Sequence, residues 1–256
     1  MINGLDRFKE YFKDYTDAYV VIGGTALQRV TLNAGFATRI TPDIDMVLIV
    51  EAVTPAFVTK FYQFIEDGEY GDKEEGKKEE RCYYRFRKPA ATDFPKQIEL
   101  FSRSTVLDLT EGQRLTPIDL DDDVSHLSAL LMDEEYYAFT IVNSIVEDNF
   151  HFANLQALVC LKAKAYLDLS ERKENGDPNV KDDHIKKHRR DVFLLGATLT
   201  PDERFNIPAG ILAHLQTFID TIANDLPSDR IFIDILGVSL QAKKVLEAIK
   251  TAFHLK

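Results

Sequence analysis

Apolar residues in this chain follow two different periods, and the change from one to the other falls near residue 150. Beyond His151, residues 153–170, 184–195, 211–223 and 240–253 repeat their apolar side chains every three or four positions, as helices with one buried face do. Ile211, Leu215, Phe218 and Ile222 give one of the cleanest of these stripes. Ahead of His151 the pattern is mixed. Residues 5–15 read as an amphipathic helix through Leu5, Phe8 and Phe12, residues 18–22 as a short β-branched strand, and residues 25–31 as helix again. Residues 44–50 read as an apolar strand and residues 55–66 as a helix carrying Phe57, Phe61, Phe64 and Ile65. Residues 82–87 and 97–101 read as strands, with 88–96 connecting them. The run 66–80 is almost wholly charged or glycine and reads as a solvent loop, 102–123 is turn-rich and unassigned, and 136–146 reads as one strand or a pair. The expected fold class is α+β: a lobe of residues 1–150 with a small mixed sheet flanked by helices, then a helical lobe of residues 151–256, with a cleft between them.

Composition narrows the setting. With 45% hydrophobic residues among 256, the chain can bury the core of one large domain or two modest ones. No apolar run approaches the roughly 20 residues of a membrane span, so no membrane partner is expected. The first residues, Met1-Ile2-Asn3-Gly4 and then Asp6-Arg7, lack the basic and apolar regions of a secretory signal. Two cysteines, Cys82 and Cys160, make neither a disulfide framework nor a cysteine-built zinc site, and a reducing cytoplasm is the expected setting. A net charge of −11 argues against a broad nucleic-acid surface but leaves room for local basic patches, at 81–88 and 181–190.

The segment Arg39-Ile40-Thr41-Pro42-Asp43-Ile44-Asp45-Met46 carries the chemistry. Side chains alternate along a strand, so Asp43 and Asp45 project from one face, close together. Two carboxylates held that close repel unless a cation lies between them, and their oxygens suit Mg²⁺ or Mn²⁺. The same residues also read as a polar strand head, with Asp43 capping a turn after Pro42. About twenty residues upstream, Val20-Val21-Ile22 runs into Gly23-Gly24-Thr25 and a helix start. Glycines let backbone approach a ligand, helix N-terminal N–H groups bind phosphate, and the Thr25 hydroxyl adds a donor. A plain strand-to-helix turn accounts for the same pair. No Gly-Lys-Ser/Thr follows, which excludes a P-loop.

Together these residues resemble the DNA polymerase β-like nucleotidyltransferase superfamily, and most closely the AbiEii/AbiGii toxin family. The resemblance is carried by Gly23-Gly24-Thr25-Ala26-Leu27 and by Arg39 to Asp45. It covers roughly the first fifty residues well and the helical half loosely. It implies a Mg²⁺-dependent transferase that moves a nucleoside monophosphate from a nucleoside triphosphate to a hydroxyl of RNA, tRNA or protein. It also implies the toxin half of a toxin–antitoxin or phage-defence pair, with an antitoxin protein as partner.

Two-metal phosphoryl transfer calls for a further carboxylate on an adjacent strand, and Glu99, between Ile98 and Leu100, is the candidate. The family places a third acid in this region, more commonly an aspartate. Lys162 falls on the apolar face of its helix with Leu155, Leu158, Ala165, Tyr166 and Leu169, so it either snorkels to solvent or meets an anion in a cleft. The family carries a helical lysine at this place and a later basic-Asp pair, matched by Lys162 and by Arg190-Asp191. Lys162 is thus expected to contact the triphosphate, with Asp191 orienting it and Arg39 aiding. A catalytically weak nucleotide-sensing or partner-binding module accommodates the same residues. His126, His151 and His214 are expected in packing or surface roles.

Overall fold

The β-branched run that stops at the glycine pair forms β1, Tyr19–Ile22, buried at all four positions. The computed structural model describes residues 4–38, 41–78, 81–102, 116–117 and 133–256, with backbone alone at 74–78, 81–83 and 116–117. Within these residues the chain is α+β. After β1 come helix α2, Gly23–Asn33, and strand β2, Asp43–Leu48; helix α1, Leu5–Phe12, precedes them. Helix α3 is Pro55–Asp67. Thr54 starts it by accepting from the Phe57 N–H at 3.2 Å, and Pro55 stands at a first-turn position where no N–H is needed.

Strands β3, Tyr70–Lys78, β4, Arg81–Pro89, β5, Gln97–Ser102, and β6, Thr116–Pro117, follow. The strands β7, Ser144–Glu147, and β8, Phe150–Ala153, complete an eight-stranded mixed sheet in the order β6-β3-β4-β5-β2-β1-β8-β7. β2 runs antiparallel to β1 and parallel to β5, and β4 is antiparallel to β5. The register divides the sheet into two chemically different faces. Tyr19, Met46, Leu48, Ile98, Leu100, Phe86 and Phe152 lie on one face, where α1 and α3 add Phe8, Phe12, Phe61 and Phe64. Phe8 meets Tyr19 edge-on at 5.3 Å and Phe61 meets Phe86 at 5.5 Å. Each such buried ring stabilises the fold by roughly 1.5–3 kcal/mol. Asp43, Asp45, Gln97, Glu99, Arg85 and Arg87 lie on the other face.

Two segments differ from their sequence reading. Residues 66–80, expected as a solvent loop, contain β3, which pairs with β4 from Tyr70↔Pro89 to Lys78↔Arg81. Ladder hydrogen bonds to a tyrosine- and phenylalanine-bearing neighbour hold a strand whose own composition carries no apolar alternation. Residues 136–146, expected as strands, are mostly helix α4, Glu134–Val142, followed by β7. The Asp133 carboxylate accepts from the Glu135 and Tyr136 N–H groups at 2.8 and 3.2 Å, and Glu134 and Glu135 sit favourably at the positive end of the helix.

The remaining helices are α5, Leu155–Glu174, α6, Asp182–Gly196, α7, Ala209–Ile222, and α8, Ala242–Ala252, with a π-helical turn at Phe232–Leu236. α5 packs on α6 and α7, and α8 packs on α6. The Tyr166 ring meets Phe218 edge-on at 5.1 Å. Gly196 lets α6 end against α8, since a β carbon there would stand 2.6 Å from Ile249 Cδ1. Two compact units result. The first is Met1–Ala26, Ile40–Met132 and Ser144–Ala153, and the second is Leu27–Arg39, Asp133–Asn143 and Asn154–Lys256. The division thus interleaves along the chain, where the sequence suggests one boundary near 150. Among the described residues no helix is long and apolar enough to cross a membrane.

Candidate active site

β1 ends at Ile22 and α2 begins at once with Gly23. Gly23 adopts φ +69°, and a β carbon there would collide with Asp45 Oδ2. Left-handed backbone and a carboxylate pressed against the α carbon are both conditions that glycine alone meets without strain. Asp45 reaches this turn because its cross-strand partner is Ile22. Gly24 comes close to Thr41, where a β carbon would stand 3.3 Å from Oγ1. Thr25 is buried and donates its hydroxyl to the Asp43 carbonyl at 2.5 Å. The first turn of α2 is therefore anchored on the head of β2 at three consecutive positions. The hydroxyl expected to hold phosphate ties α2 to β2 instead, while the backbone N–H groups of Gly24 and Thr25 belong to the positive end of the helix.

Asp43 and Asp45 are half-buried and share a face of β2. Across the sheet two polar rows extend from them. Asp43 is level with Gln97, Arg87 and Asp72, and Asp45 with Glu99 and Arg85. Glu99 is buried, and its Oε1 accepts from Arg85 Nε at 2.9 Å and from Gln97 Nε2 at 3.1 Å. Arg85 is as deeply buried as Glu99, so the two charges neutralise each other in the sheet. Sequence reasoning placed Arg85 and Arg87 in a local basic patch at 81–88 and named no partner for them. The matching alternation of Gln97 and Glu99 was the available signal, and pairing it required the β4–β5 register.

These contacts decide which metal arrangement the residues fit. Two half-buried carboxylates on one face supply hard oxygen donors for a single divalent ion, with water and phosphate oxygens completing its shell. Glu99, expected to hold a second ion, has Arg85 and Gln97 on its Oε1. Among the described residues no group of three or more His, Cys, Asp or Glu converges to hold a metal. Arg39 lies outside the described residues.

A cavity of about 490 Å³ opens beside Asp43. Arg87, Lys88, Lys96 and Gln97 supply its polar wall, and Phe94 an apolar one. Lys88 ion-pairs with Asp72 at 2.8 Å, and Arg87 Nε lies 4.0 Å from the same carboxylate oxygen.

In the helical unit, Lys162 is 1% exposed and its Nζ lies 2.9 Å from Asp191 Oδ2. The expected Lys162–Asp191 pairing is thus seen within that unit, with both charges removed from solvent. Lys164, off the apolar stripe, pairs with Asp168 at the surface. The basic run of α6 is not one exposed face: His188 is buried and Arg189 pairs with Asp225. His151 bridges the Thr16 carbonyl and Ser144, and His214 meets the Tyr136 hydroxyl at 3.2 Å; His126 lies outside the described residues. Comparison with protein-family models, curated proteins and solved structures finds no match to this chain.

Proposed function

We propose that the chain is a divalent-metal-dependent nucleotidyltransferase of the AbiEii/AbiGii toxin type, acting in the cytoplasm. One observation carries this reading: Asp45 packs against Gly23 at the start of α2, with Asp43 on the same strand face. Anion-binding backbone and cation-binding carboxylates are thereby adjacent, as a bound nucleotide–metal pair requires. Asp43 and Asp45 would hold Mg²⁺, which when bound polarises phosphate oxygens and lowers the pKa of an acceptor hydroxyl. The α2 N-terminus orients the triphosphate of the donor. The acceptor oxygen forms a bond to the α-phosphorus, the bond from that phosphorus to its bridging oxygen breaks, pyrophosphate leaves, and the hydroxyl proton passes to water. Glu99, held by Arg85, keeps a balanced charge on the strand beside Asp45. Lys162 serves as the buried partner of Asp191, and no phosphate contact is asked of it. Toxicity and an antitoxin partner follow only from the family resemblance.

A labelled-nucleotide transfer assay tests this directly. Mg²⁺-dependent labelling of a cell-derived RNA or protein pool should appear with wild type and vanish with Asp43→Asn and Asp45→Asn. Labelling undiminished in both variants would refute the assignment. The Arg85–Glu99 pair favours one other reading, a nucleotide-sensing module without turnover, because it engages the third acid of a two-ion site. Mg²⁺-dependent triphosphate binding without product from any of the four nucleotides would select it.

A further inference from the structure

The cavity beside Asp43 lies on the opposite side of the carboxylate pair from the Gly23 turn. In the sheet order β4-β5-β2-β1, the turn follows β1, whereas the cavity is built from the facing ends of β2, β5 and β4 and from the segment joining β4 to β5. If the donor phosphates occupy the α2 side, an acceptor must approach Asp43 and Asp45 from the cavity side. The transferase reading is a premise of this step.

The chemistry of the wall says what that acceptor carries. Arg87, Lys88 and Lys96 bring three positive charges to one cavity, against Asp43 as the acid lining it, in a chain whose net charge is −11. Asp72 answers Lys88, and lies at the limit of ion-pair distance from Arg87. Among the described residues no side chain pairs with the Lys96 ammonium, and its backbone is fixed by an N–H bond to the Pro42 carbonyl at 2.9 Å, directly before Asp43. The exposed Lys96 side chain thus starts from a backbone held beside the strand that carries the two carboxylates. Phe94 is buried and gives the cavity an apolar side. A volume of about 490 Å³ falls within the range of small-molecule sites and accommodates one nucleotide-sized group.

We propose that this cavity is an acceptor subsite for a phosphate ester, with Lys96 and Arg87 anchoring the phosphate and Phe94 bordering the organic part. The acceptor hydroxyl then belongs to a phosphate-bearing molecule, and an unphosphorylated polypeptide side chain is not the substrate. Phosphate esters of two sources share this chemistry, a polynucleotide end and a small phosphorylated metabolite.

The test uses the full chain, a fluorescein-labelled single-stranded RNA hexamer, and ribose 5-phosphate as competitor, read by fluorescence anisotropy. The hexamer should bind, Lys96→Ala and Arg87→Gln should each weaken it by about tenfold, and Lys96→Arg should restore most of the affinity. A polynucleotide source is indicated if ribose 5-phosphate fails to displace the hexamer and if Lys96→Ala lowers the salt slope by about one. A small-molecule source is indicated if ribose 5-phosphate itself displaces the probe at submillimolar concentration in wild type and not in Lys96→Ala. Failure of both ligands to bind, or equal binding by wild type, Lys96→Ala and Arg87→Gln, would overturn the subsite. Mg²⁺–triphosphate binding, measured in parallel, separates the two levels. Triphosphate binding and transfer that persist with no phosphate-ester binding sink the subsite alone. Phosphate-ester binding that depends on Lys96, without triphosphate binding or transfer, retains an anion site and sinks the transferase reading with its acceptor role.

Discussion

The carboxylate of Asp45 lies against the α carbon of Gly23, so that any side chain at position 23 would displace it. Gly23→Ala should therefore act twice. The left-handed φ of +69° costs roughly 1–2 kcal/mol for a residue with a β carbon, and the methyl group pushes Asp45 off its position. Chemical denaturation should report the first effect. Loss of Mg²⁺-dependent labelling well beyond what the lost stability explains should report the second.

For Asp43 and Asp45 themselves, replacement by asparagine keeps shape and removes charge. Transfer should fall by roughly a hundredfold or more, since several kcal/mol of charge stabilisation disappear with the ion. Thermal unfolding of the two variants, measured alongside, separates loss of the ion from loss of the fold.

Lys162 and Asp191 form a buried pair at 2.9 Å, and removing one partner leaves the other charged and unsolvated. Lys162→Met should destabilise the protein by about 3–5 kcal/mol, whereas Lys162→Met/Asp191→Leu should recover much of that loss. Urea unfolding of the two single variants and the double variant measures the coupling. Additive losses would show that the pair is not energetically connected.

The Cys160 thiol is fully buried in α5, and burial pushes its pKa well above the ordinary value. It should resist maleimide at neutral pH in the folded protein and react once urea unfolds the helical unit. A Cys82→Ser variant isolates the signal, because mass spectrometry then reads Cys160 alone.

Burial lowers the His151 pKa below its ordinary 6.5, outweighing the hydrogen bond to the Thr16 carbonyl and the nearby Asp17 charge. The folded state thus prefers neutral imidazole. As pH falls below about 6.5 the unfolded chain takes up this proton first, so the stability present at higher pH is lost as pH drops toward the folded pKa. The urea midpoint should fall more between pH 7.5 and 5.5 in wild type than in His151→Gln, where no such proton is bound.

The elements that sequence patterning located are those whose signal is local. β1, α3 and the four long C-terminal helices announce themselves through side-chain period and apolar content, because an element that buries its side chains must write them into neighbouring residues. β3 has no such face, and only its ladder with β4 makes it a strand. In α4 the burial of Tyr136, Tyr137, Phe139 and Thr140 follows helical spacing, yet the aromatic and β-branched content imitates a strand, and the Asp133 cap decides between them. The same division runs through the candidate site. That Asp43 and Asp45 share a face follows from the two-residue repeat of any strand, and that a glycine pair marks the change from strand to helix follows from the change of side-chain period.

What a distant part of the chain supplies could not be read this way. The parallel register of β2 with β5 sets Glu99 level with Asp45, and the antiparallel register of β4 then sets Arg85 level with Glu99. Those two alignments join residues well separated along the chain, and they set an expected metal ligand beside a guanidinium. The sequence by itself determined which residues carry charge and where each local face points. Only the tertiary structure decided which charges meet, because a side chain's electrostatic partner is chosen by strand order and register, and these are settled by burial of the whole sheet rather than by any local pattern.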